Sequence, residues 1–139
     1  EAESRDRRRE TVLLGYAGVP PIFSDFYEFV ESLGARVVFN EMQRQFAMLG
    51  LERDIVDQYQ KYTYPYRVWG RIEDIARAVR QRGIVGVIHY VQSFCFRQME
   101  DVILREELDV PVLTLEGDLP GPLDARTQTR LESFVEMLC

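Results

Sequence analysis

The chain has 139 residues, enough for one domain and too few for two comfortable cores. Its 46% hydrophobic content excludes wholesale disorder. With 17 basic against 23 acidic side chains, a net −6 and no basic stripe, nucleic acid and anionic membrane surfaces are poor partners.

No apolar run approaches the roughly 18 residues of a membrane span and no signal-peptide pattern opens the chain, so a cytoplasmic location is expected. Residues 1–10 carry four Arg and four acids and read as a charged linker or extension. The sequence opens on Glu1 rather than Met and stops after Leu138-Cys139, so residues 11–139 are expected to be a single α/β domain of a longer protein. Its two cysteines, Cys95 and Cys139, are too few for a disulfide framework.

The first short apolar run, residues 11–15, suits a strand buried on both faces. After the loop from Tyr16 to Pro21, Ser24 or Asp25 is placed to cap a helix. Phe26, Phe29, Val30 and Leu33 form its apolar stripe, and Gly34 stops it. Residues 36–40 are the second strand. The stretch from 41 to 70 is less regular and predicts an excursion over the C-terminal edge of the sheet. In it Phe46, Met48 and Leu49 predict a buried patch, and Leu51, Ile55, Val56 and Tyr59 predict a helix that Pro65 ends.

Ile72, Ile75, Ala76 and Val79, with Gly83 as the stop, predict the next helix, and residues 84–90 the third strand. Met99, Val102 and Ile103 mark a helix ending near Leu108; residues 111–115 are the fourth strand. Thr127, Leu131, Phe134, Val135 and Leu138 mark the last helix. Strands alternating with helices imply a parallel sheet with helices on both faces. The expected architecture is a three-layer α/β sandwich of order 2-1-3-4, flavodoxin- or Rossmann-like, with its switch point between the first and third strands. The loops there are Tyr16 to Ile22 and Val91 to Arg97, which puts Cys95 where such sheets bind ligands.

Cys95 follows a strand and precedes a helix, where a helix dipole favours a thiolate or an anionic cluster; a buried structural thiol is the alternative. His89, the single histidine, reads as a general base or as a buried, hydrogen-bonded side chain. A Ser93–His89 nucleophilic pair has no acid nearby in sequence to orient it. Gly15-Tyr16-Ala17-Gly18 lacks the third Gly of a dinucleotide fingerprint and any Lys-Ser/Thr ending. Glu116 and Asp118 read as an acid pair or a solvated loop. Tyr62, Tyr64, Tyr66 and Trp69 read as a pocket lining or as packing over the sheet. Cys139, at a chain end, reads as incidental.

Gly86-Val87-Ile88-His89-Tyr90 with Phe94-Cys95 resembles the third strand and cysteine loop of the D-component family of 2-hydroxyacyl-CoA dehydratases and benzoyl-CoA reductases. So do the run from Pro111 to Asp118 and the helix from Arg126 to Phe134, and the resemblance extends over nearly everything from residue 11 onward. Many members read Cys-Asp-Pro where this chain reads Cys95-Phe96-Arg97, which leaves the subtype open. The resemblance implies the C-terminal α/β domain of a subunit holding a [4Fe–4S] cluster. An ATP-dependent activator feeds that cluster one electron for use on a CoA thioester. Cys95 matches the cluster ligand contributed by this domain, with Gln92 and Ser93 as neighbouring donors to the cluster sulfurs. The implied partners are the rest of the subunit, a homologous partner subunit, the activator and an acyl-CoA substrate.

A cubane cluster takes three or four protein ligands, and Cys95 is the one plausible ligand here, with His89 a poor second; the isolated chain is expected to hold no cluster and to be inactive. Two other functions stay open: a cluster-holding relative that reduces another small molecule, and a non-catalytic partner-binding module.

Overall fold

The computed structural model describes residues 12–48, 50, 52–62 and 67–139. Four short apolar runs become β1 (Val12–Gly18), β2 (Ala35–Asn40), β3 (Gly86–Val91) and β4 (Val112–Glu116). They form one all-parallel sheet in the order β2-β1-β3-β4. The connections carry α1 (Phe26–Ser32), α2 (Glu41–Ala47), α3 (Ile55–Tyr62), α4 (Val68–Arg82), α5 (Asp101–Glu107) and α6 (Ala125–Leu138). This is the expected α/β fold and strand order.

The pleat sends alternate side chains to two separate cores. On one face Leu14, Tyr16, Ile88, Tyr90 and Leu115 pack against Phe26 and Val30 of α1 and Leu131, Phe134 and Val135 of α6. On the other, Ala17, Val87 and Val112 meet Ile72, Ile75 and Ala78 of α4 and Leu104 of α5. Burying a side chain such as Leu131 contributes about 2–3 kcal/mol, so each face is held by several such residues acting together. β1 runs to Gly18, past the expected end, because Tyr16, Ala17 and Gly18 pair with Ile88, His89 and Tyr90. Gly18 has φ 98°, and a Cβ there would stand 2.0 Å from the Tyr90 carbonyl oxygen, so no side chain fits between the two strand ends.

Asp25 is the N-cap of α1, but its carboxylate accepts from the Leu123 N–H at 2.8 Å rather than from the helix it precedes. Ser24 N–H donates to the Gly121 carbonyl beside it. The two loops therefore hold each other at the C-terminal edge of the sheet.

One expected buried patch is corrected, and two further segments turn apolar residues outward. Phe46 is 76% exposed, and Leu49 lies outside the described residues. α2 turns its polar side inward instead, burying Glu41 and Gln45, because a buried guanidinium awaits it there. In α3, Ile55, Val56 and Tyr59 face outward, and Tyr62 alone is buried. After Cys95 the chain first makes a 3₁₀ turn, Phe96–Glu100, whose tighter winding shifts the phase of α5. Met99 and Val102 end up exposed, and Leu104 and Leu108 fill the core in their place. Trp69 is also exposed, while the break at Pro65, with Tyr64 and Tyr66, lies outside the described residues.

Candidate functional site

The chain leaves β1 toward β2 on one side and returns past it to β3, so the loops after β1 and β3 diverge at the C-terminal edge. β3 ends in Tyr90-Val91, and the next turn carries Gln92, Ser93, Phe94 and Cys95. Cys95 N–H donates to the Gln92 carbonyl at 3.0 Å, and the Cys95 carbonyl accepts from Gln98 N–H at 3.0 Å. Between them Phe94 takes φ 64°, a left-handed conformation that costs a non-glycine residue about 1–2 kcal/mol, and its ring stands wholly in solvent. The sharp bend sets the Cys95 thiol half-buried at the edge. Beyond Cys95 the chain enters the 3₁₀ turn and not a regular α-helix; α5 begins only at Asp101. The expected macrodipole support is therefore replaced by local turn geometry.

On its outer side the turn is fastened to the loop after β4. Ser93 N–H donates to Asp118 Oδ1 at 2.7 Å, and its hydroxyl donates to Asp118 and, at 3.4 Å, to Glu116 Oε1. These hydrogen bonds hold the Asp118 carboxyl below its ordinary pKa. Both Ser93 donors thus point to the acidic loop. Tyr90 Oη donates to the Gly117 carbonyl at 2.7 Å and accepts from Ile22 N–H at 3.4 Å, drawing the three loops together. A Cβ on Gly117 would stand 2.4 Å from the Phe23 ring, so the acidic loop crosses where only glycine fits. A groove of about 530 Å³ opens beyond it, lined by Phe23, residues 116–118, Arg126 and Arg130; Cys95 does not line it.

On its inner side the turn rests on a buried ionic network that sequence reasoning missed. Arg71 grips Glu41 with a fork, Nε to Oε1 at 2.6 Å and Nη2 to Oε2 at 2.7 Å. Its Nη1 donates to Glu100, which also accepts from Arg97 at 3.3 Å. Glu41 further accepts from Gly18 N–H at 2.8 Å and from Gln45 at 3.3 Å. Burial raises the pKa of Glu41, but Arg71 and the Gly18 N–H outweigh it and hold the carboxyl below its usual value. The signal available in the sequence was that Arg71 shares a helical phase with Ile75 and Ala78, a cation on an apolar stripe.

His89 lies fully buried on the same face of the sheet as Val87. Burial depresses its pKa and Asp101 only partly restores it, so the ring is neutral at pH 7. Its Nδ1–H then donates to Asp101 Oδ1 at 2.7 Å, and Thr114 and Arg105 hold the same carboxylate. Nε2 has no hydrogen-bond partner among the described residues. Asp101 is the orienting acid that local sequence did not reveal. Yet Ser93 is bonded to Asp118 and not to His89, so the structure forms no Ser–His pair.

The family model for the 2-hydroxyglutaryl-CoA dehydratase D-component matches residues 1–138. The chain belongs to that family. No curated protein matches it. No group of three or more His, Cys, Asp or Glu side chains converges as a metal site among the described residues. Cys95 fits a role as one thiolate ligand and not as a complete site. No helix among the described residues is long and apolar enough to cross a membrane.

Proposed function

We propose that this chain is the C-terminal domain of a cytoplasmic dehydratase subunit and that Cys95 is its contribution to a [4Fe–4S] cluster. The other ligands would come from elsewhere in the subunit. The observation that carries this reading is the position of Cys95: half-buried, at the C-terminal edge beside the switch point, on a turn fastened from both sides, in a D-component family member. When bound, such a cluster accepts one low-potential electron from an ATP-dependent activator and delivers it to an acyl-CoA thioester.

This chain's own residues present the sulfur and fix its surroundings. Ser93 and Asp118 fasten the turn to the loop after β4, and Tyr90 ties that loop to the one after β1. Gln92 lies half-buried within the same turn, and its side chain is hydrogen-bonded to Tyr90. A homologous subunit, the activator and the acyl-CoA are the partners this reading requires.

The test is Cys95→Ala in the complete protein, purified without oxygen and assayed for iron, sulfide and electron uptake from its activator. Loss of cluster iron and of electron uptake is expected. A full cluster complement with normal uptake would overturn the proposal.

A further inference from the structure

We infer that Arg71 is a positioning residue for Cys95, holding the cysteine turn in place through Glu100 and Arg97. The inference rests on the reading of Cys95 as the functional thiol, and its geometry stands apart from that reading. Arg71 is 0% exposed and projects from the first turn of α4. Its fork on Glu41 is anchored in turn by the N–H of Gly18, the last residue of β1. Its remaining nitrogen reaches Glu100, the last residue of the 3₁₀ turn that Cys95 caps. Arg97, two residues after Cys95, joins Glu100 from within the same turn and is itself buried.

Two carboxylates and two guanidiniums are thus enclosed together, their charges balanced. Their hydrogen bonds run from the end of β1, through α2 and α4, to the turn carrying the thiol. An apolar contact would bury the same surface without fixing an angle. A forked guanidinium sets direction as well as distance, so the turn is held in one orientation relative to the edge of the sheet.

A purely structural role predicts that changes at Arg71 alter stability alone. A positioning role predicts that Cys95 also changes its chemistry in molecules that remain folded. The experiment monitors alkylation of Cys95 by iodoacetamide in the complete protein, stripped of iron by chelation, across pH 6–9. The reaction is read by mass spectrometry on the tryptic peptide spanning residues 83–97, in which Cys95 is the sole cysteine. Three proteins are compared: wild type, Arg71→Lys and Glu100→Gln. Lysine keeps the charge but lacks the fork. Glu100→Gln leaves the Arg71–Glu41 pair intact and weakens only the tie to the cysteine turn, so it serves if Arg71→Lys fails to fold.

In the folded variants the Cys95 alkylation rate is expected to change by about tenfold, with its pH profile displaced. Alkylation of Cys139, exposed at the chain end, is expected to stay unchanged. A Cys95 rate within about twofold of wild type, with an unmoved pH profile, in folded Glu100→Gln would overturn the inference. Should Cys95→Ala keep its full cluster complement while Glu100→Gln still shifts Cys95 reactivity, the cluster reading fails and the positioning role stands.

Discussion

In α4 and α6 the apolar stripes face the sheet, with Ile72, Ile75 and Ala78 in one core and Leu131, Phe134 and Val135 in the other. In α2 the sides are reversed, and α3 buries Tyr62 alone. Phe46, Ile55, Val56 and Tyr59 stand in solvent, while Glu41 and Gln45 are buried. The difference lies in what each helix meets. Where the opposing layer is a pleated apolar surface, burial of hydrocarbon decides the orientation. Where it is a buried guanidinium, the carboxylate goes in, because an unpaired buried cation costs more than a few exposed apolar side chains.

The sharpest way to break the polar region is Arg71→Met, which leaves the Glu41 carboxylate buried without its fork. A loss of about 3–5 kcal/mol is expected in chemical denaturation. Leu131→Ala breaks the apolar region instead and is expected to cost about 2–5 kcal/mol, with Cys95 reactivity unchanged. Similar losses, with the thiol altered by the change at Arg71 and untouched by the change at Leu131, would separate the two regions.

Titration separates them further. His89 in the folded chain binds its proton less tightly than the ordinary imidazole value of 6.5, because burial opposes the charge. Below that value the unfolded chain holds more protons, so stability should fall as pH drops through 6.5, by at most about 1.4 kcal/mol per pH unit. His89→Gln should remove this part of the slope. Glu41 acts in the same direction in a lower window: its carboxyl sits below 4.5, and the stability it contributes is lost as acid protonates it. A flat denaturation midpoint between pH 7 and 5 would contradict the assignment of His89 as a buried neutral ring.

The smallest expected effects belong to the outward faces. Phe46→Ser and Ile55→Ser should each change stability by no more than about 0.5 kcal/mol, and Cys139→Ser should leave folding unchanged. A loss above about 1 kcal/mol at Phe46 would mean that α2 buries its apolar side after all.

The four strands, their order and the stop at Gly83 were legible because each depends on local patterning: short apolar runs, a 3.6-residue stripe, a glycine at a helix end. The Cys95 turn was placed correctly by the same topology. The Glu41–Arg71–Glu100 network was not legible, since its members stand 30 and 29 residues apart and no local period links them. Asp101 was missed for a related reason: its partnership with His89 crosses from a helix to a strand. The outward turn of Met99 and Val102 was not legible, since the 3₁₀ winding before α5 leaves little trace in residue spacing.

The hydrogen bond from Leu123 to Asp25 has a consequence for the order in which the molecule is completed. Its two residues lie 98 positions apart. As the chain leaves the ribosome, β1, α1 and β2 are made long before Leu123 exists. The Asp25 carboxylate must remain hydrated until the loop before α6 arrives to cover one face of the sheet. Contacts between such distant residues form late and slow folding. α6 therefore closes its side of this core as a latch, and a chain ending before residue 123 would leave the part of the sheet beside α1 that α6 covers open to other nascent chains.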